Sequence, residues 1–122
     1  MASVSPMQRT LKVLKSRGLK VDIAEHYSPF PKPFGRRIDL FHIIDVLVLT
    51  PEGILGIQVC GTDFKSHVIK ITETERENAL AWLKTPGTML EIYSWRKLVK
   101  KRGMKAKYWD CKIKRITLED LE

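Results

Sequence analysis

Ile43-Ile44-Asp45-Val46-Leu47-Val48-Leu49, Thr50-Pro51-Glu52-Gly53 and Ile54-Leu55-Gly56-Ile57-Gln58-Val59 follow one another without a break. An apolar run of strand length, a turn carrying Pro and Gly, and a second apolar run predict a β-hairpin. Its two strands are the most apolar in the chain and belong at the centre of a sheet. Upstream, Ser5 and Pro6 supply a cap and a first-turn proline for a helix. That helix carries Met7, Leu11 and Leu14 at helical spacing, with Val13 beside them, and Gly18 ends it. Val21 and Ile23 alternate with polar neighbours, which predicts a strand over 19–24. Pro29, Pro31, Pro33 and Gly35 exclude regular structure over 28–35, a long loop without the composition of a flexible linker.

Downstream, Thr72 and Glu75 have capping-box spacing for a helix whose apolar side is Ala79, Leu80, Trp82 and Leu83. Pro86-Gly87 ends it, and 89–93 reads as a strand. Trp109, Cys111 and Ile113 alternate with Tyr108, Asp110 and Lys112 in a last strand, and Thr117 caps a final helical turn. The order α-β-β-β-α-β-β over residues 1–122 predicts one small α/β domain, a mixed central sheet with a helix on each face. Of the residues, 43% are hydrophobic and 30% charged, which supports a real core and excludes a disordered chain. No run is long enough to span a membrane, and no signal-peptide core follows the first residues. A cytoplasmic protein is expected. Cys60 and Cys111 are too few for a disulfide framework and form no CxxC pair.

Asp45 is the first residue with chemical content. A carboxylate within an apolar strand is costly to bury unless it is paired or holds a cation; the competing reading is an acid on the solvent face. Gln58 takes a similar place on the neighbouring strand, so two oxygen-bearing side chains can converge at a strand end. Hard cations such as Mg²⁺ accept such oxygens. Asp39, just ahead of Asp45, and Glu25 are further acids, with the alternative that they only balance Arg36 and Arg37. His26 and His42 stand alone, and nothing indicates a nucleophilic triad.

An acid in an apolar strand, a turn, then a strand bearing Gln58-Val59-Cys60 resembles the PD-(D/E)XK nucleases. The helices and remaining strands agree with that family's restriction-endonuclease-like αβββαβ core. Within it, the short length, basic surface and early helix most resemble archaeal-type Holliday junction resolvases, which phages also encode, and Arg37-x-Asp39-Leu40-Phe41 and Trp95-Arg96-Lys97 resemble small phage and bacterial proteins of this nuclease type. The resemblance implies Mg²⁺-dependent (or Mn²⁺-dependent) cutting of four-way or other branched DNA by a homodimer. It makes Asp45 the metal-binding acid, with Gln58 where Glu is usual, Val59 offering its backbone carbonyl, and Asp39 an added ligand. Cys60 stands where the family has its catalytic lysine. Lys65 or Lys70 is then the substitute; without one, the site binds metal and DNA but cuts poorly. A nuclease acting on linear DNA and a non-catalytic DNA-binding scaffold are the other readings.

Lys and Arg number 22 against 14 Asp and Glu, a net charge of +8 that suits a polyanion. Lys97, Lys100, Lys101, Arg102, Lys105 and Lys107 fall within 97–107, where there is no acid, beside Trp95, Tyr108 and Trp109. With Arg9 and Lys12 on the first helix, and Lys32, Arg36 and Arg37 on the proline loop, they are the expected phosphate contacts. Such contacts position a duplex without reading its sequence, and binding through them falls steeply with salt. For the dimer, the helix side with Trp82 and Leu83 and the strand over 89–93 are candidate interfaces.

Overall fold

The computed structural model describes residues 4–30, 32–99, 103 and 107–122. Helix α1 (Pro6–Ser16) starts as expected, with a capping box in which Ser5 Oγ accepts from Gln8 N–H and Gln8 reaches back to Ser5 N–H. It stops before Gly18, whose φ of 77° suits only glycine well. The hairpin of β4 (Val46–Thr50) and β5 (Gly53–Cys60) pairs Val46 with Ile57 and Thr50 with Gly53. A five-stranded sheet forms around it in the order β1-β4-β5-β6-β7, with β1 (Lys20–Ile23), β6 (Thr88–Val99) and β7 (Lys107–Ile116). Only β5 and β6 run parallel, so the chain between them must cross over the sheet.

Strand alternation sorts the core into two layers. Val46, Val48, Leu55, Ile57 and Tyr93 pack with Leu14, Leu11 and Met7 of α1. Ile44, Leu90, Ile92 and Ile116 pack on the other face with Ala79, Leu80, Trp82 and Leu83 of helix α3 (Arg76–Lys84). A mixed sheet with helices on both faces is therefore the architecture. Gly56 sits where Ile44 and Trp82 cross the sheet: a Cβ there would meet Ile44 Cδ1 at 2.7 Å and Trp82 Cζ2 at 3.2 Å. Gly56→Ala should therefore cost about 1–3 kcal/mol by overpacking. Urea denaturation should show a lower midpoint at unchanged slope; an unchanged midpoint means the layer yields.

Four expectations need correction. The expected element order lacks two strands: β2 (His26–Ser28) and β3 (Arg36–Ile38) pair antiparallel as a separate two-stranded sheet at the base of the proline loop, while the described residues of 29–35 hold no helix or strand, as expected. Asp45 does not lie inside a strand. Phe41 (φ 53°) and His42 (φ 63°) hold a tight turn closed by Ile43 N–H and Ile44 N–H on Leu40 C=O, so the ladder begins only at Val46. The crossover is helical from Phe64, not Thr72: α2 (Phe64–Ile69) leads into a π-helical turn (Lys70–Thr74) and then α3. Thr72 Oγ1 donates back to Val68 C=O, and Glu75, at the start of α3, receives no cap from it. Finally, both candidate dimer faces are used within the chain. Trp82 and Leu83 pack on the core, and β6 is flanked by β5 and β7. Among the described residues, no helix is long and apolar enough to cross a membrane.

Candidate functional site

Asp45 stands where the chain enters β4. Its N–H donates to Ile57 C=O at 2.8 Å and its C=O accepts from Ala24 N–H at 2.7 Å, so β5 and the residue that follows β1 grip its backbone from both sides. Its side chain shares a sheet face with Gln58. Gln58 Nε2 donates to Asp45 Oδ2 at 2.7 Å and to Asp39 Oδ2 at 3.1 Å. Val59 N–H donates to the same Asp45 oxygen at 2.8 Å, and Lys70 Nζ donates to Asp39 Oδ2 at 3.0 Å. Residues far apart in sequence thus form one hydrogen-bonded chain, Lys70–Asp39–Gln58–Asp45–Val59. Carboxylate oxygens of Glu25, Asp39 and Asp45 lie within 4.8 Å of one another, and Arg37 donates to Glu25 at 2.8 Å.

Asp45 is 5 % exposed and Gln58 2 %. Burial, reinforced by the neighbouring Asp39 carboxylate, pushes Asp45 from an ordinary 3.8 to about 7, against the opposing bonds from Val59 and Gln58. Burial also works to raise Asp39, but its bonds with Asp45, Gln58 and Lys70 win and hold it low. The sign for stability follows. Between about pH 4 and 7 the unfolded chain has lost a proton from Asp45 that the folded chain keeps, so folding stability falls as pH rises. In EDTA the loss should be on the order of 4 kcal/mol across that window. Asp45→Asn should flatten the slope in denaturation titrations; an identical slope in the variant would place the buried proton elsewhere.

A cleft of about 400 Å³ opens above this cluster. Ser5, Pro6 and Met7 at the start of α1 form one wall; Asp45, Gln58 and Val59 form the floor. Asp39 also borders a second cleft, of about 390 Å³, lined by Arg36, Arg37, His42 and Lys70. An acidic pocket and a largely basic one therefore meet at one carboxylate.

The structure brings Asp39, Asp45, Gln58, Val59 and Lys70 together, while Lys65 is exposed on α2 and lines neither cleft. Arg36 and Arg37 are exposed at the basic cleft, and Lys12 is exposed on α1. The Arg9 guanidinium lies 3.9 Å over the Trp109 ring, with Lys97 Nζ 5.2 Å from the same ring. Lys100, Lys101, Arg102 and Lys105 lie outside the described residues. Sequence reading missed Asp63 and His67, which reach the acidic cleft beside Cys60, His67 Nε2 lying 2.9 Å from Asp63 Oδ2. Phe64, Val68 and Ile71, spaced four and three apart, were the signal for the helix that carries His67. Burial pushes the Cys60 thiol up, against a bond from Ser94 and with help from the Asp63 and Asp45 carboxylates. Comparison of the chain with family models, curated proteins and solved structures gives no match.

Proposed function

We propose that the chain is a Mg²⁺-dependent endodeoxyribonuclease of the PD-(D/E)XK type, a Holliday junction resolvase acting on branched DNA as a homodimer. The observation that carries this reading is the convergence of Asp39, Asp45, Gln58 and Lys70 where β4 and β5 begin and end. The order α1, β1, β4, β5, crossover helices, β6 supports an αβββαβ core into which the β2–β3 hairpin is inserted.

The donor set fits a hard divalent ion. It offers carboxylate and amide oxygens, and Gln58 Oε1 is buried with no hydrogen-bond partner among the described residues. Turning that amide over would set its oxygen beside two carboxylates, which is favourable only with a cation among them. Asp45, Gln58 and Asp39 would hold Mg²⁺ (or Mn²⁺), with the Val59 carbonyl on the same strand edge. Such an ion supplies Lewis acidity, activating water and neutralising charge on a scissile phosphate. Val59 N–H fixes the Asp45 carboxylate in place. Lys70, with one of its three N–H donors on Asp39, keeps two for a phosphate oxygen or an attacking water. Arg36 and Arg37 line the way in for the DNA backbone. Two symmetric cuts require two such sites about a twofold axis.

Cys60 favours a second reading, a DNA-binding scaffold that cuts poorly, because a buried thiol held neutral cannot do an ammonium's work. The deciding assay compares a four-way junction with matched linear duplex, in Mg²⁺ or EDTA. Mg²⁺-dependent cutting confined to the junction supports the resolvase, and equal cutting of both substrates leaves only a nuclease. Junction binding without cutting selects the scaffold.

A further inference from the structure

The β2–β3 hairpin stands apart from the main sheet and carries exposed aromatics at and beside its tip. Tyr27 and Phe30 are each 62 % exposed, and Phe34 is 84 % exposed. The tip is nonetheless tied down. Tyr27 Oη donates to Phe34 C=O at 2.8 Å, and Phe30 N–H donates to Ser28 Oγ at 3.3 Å. Gly35, at φ 68°, lets the chain pass Tyr27 and Ser28 O, where any Cβ would collide. Lys32, Arg36 and Arg37 add three cations, and Lys32 Nζ lies 5.7 Å from the Phe30 ring. The two strands leave the body of the protein at Glu25 and Asp39, two of the clustered acids. Arg36 and Arg37, at the base of the arm, line the cleft that shares Asp39 with that cluster.

Exposed phenylalanines on a braced arm mark a binding surface rather than scattered surface residues. The surrounding positive charge specifies a polyanion as occupant. Phenyl rings offer nothing to the outside of a continuous duplex, whose bases are already stacked on one another. They do offer a face to a base left unstacked, and such stacking is indifferent to sequence. We propose that Phe30 and Phe34 form a stacking wedge that engages unpaired or splayed bases at a branch point, while Lys32, Arg36 and Arg37 hold the flanking phosphates. The assignment rests on the nuclease reading for its biological substrate, and it makes this arm the source of the preference for branched over linear DNA.

The test measures binding by the full chain in EDTA, with a four-way junction carrying 2-aminopurine at the branch and with matched linear duplex. Phe30→Ala/Phe34→Ala should weaken junction binding about ten- to a hundredfold and abolish the fluorescence change of the branch base. Duplex affinity should stay within about twofold, since phosphate contacts set it. Phe34→Tyr should behave as wild type, and Phe34→Leu, apolar but unable to stack, should weaken junction binding as Phe34→Ala alone does. Equal losses on both DNAs, no loss, a wild type without junction preference, or a wild-type Phe34→Leu overturns the wedge. So does a change of oligomeric state in DNA-free alanine variants, which would assign the face to a second copy of the chain. Because no cutting is read, a protein that binds this way yet never cleaves keeps the wedge and loses the nuclease. One that cleaves while the arm variants bind normally does the reverse.

Discussion

Asp45→Ala should abolish Mg²⁺-dependent cutting of a four-way junction, lowering the rate by about a thousandfold or more, while junction affinity in EDTA changes by less than about threefold. Asp45 accepts both the Gln58 and the Val59 bonds, so its removal empties the centre of the oxygen set without touching the exposed arginines. Losing the partner of a buried N–H costs about 1–3 kcal/mol, and relief of the Asp39 repulsion offsets part of it. The variant should therefore remain folded, which thermal melting checks, and Asp45→Asn, nearly isosteric, should be as inactive. Residual cutting at wild-type rate, or wild-type cutting that survives EDTA, would remove Asp45 and the ion from the chemistry together.

Gln58→Glu should act in opposite directions with and without divalent ion. In EDTA the substitution replaces a donor to two carboxylates with a third acid, in a place that is 2 % exposed. An uncompensated buried charge of this kind costs about 3–5 kcal/mol, and the melting temperature should drop accordingly at pH 8. Added Mg²⁺ should restore it, because a charged ligand binds the ion more tightly than an amide does. Calorimetric titration should show higher Mg²⁺ affinity than wild type. Unchanged or lower affinity counts against direct ligation by residue 58, and a variant that stays stable in EDTA shows that the three acids are not crowded as the distances imply.

The central hairpin was legible because burial on both faces forces an unbroken apolar run, and the turn between the runs announces itself through Pro51 and Gly53. Asp45 and Gln58 were legible as exceptions to that run, although Asp45 proved to precede its strand. What a sequence cannot display is a left-handed backbone at Phe41 and His42, since neither residue type demands it. Prolines drew attention to 28–35 and hid the three-residue strands on either side, too short for any period to emerge. The crossover helix was hidden by its brevity, six residues before a π-helical turn (Lys70–Thr74) carries the chain into α3. Lys70's bond to Asp39 spans 31 residues of sequence, a tertiary contact that no spacing rule contains.

Trp95 Nε1 donates to Thr10 Oγ1 at 2.8 Å, a buried bond across 85 residues that moors α1 to β6. During synthesis the β4–β5 hairpin can close, and Asp45 can meet Gln58, while the anchoring tryptophan is still inside the ribosome. Residues 5–7, which wall the acidic cleft, have no such mooring until it emerges. A nascent chain thus carries its acids early and gains the Trp95 anchor of the α1 wall late.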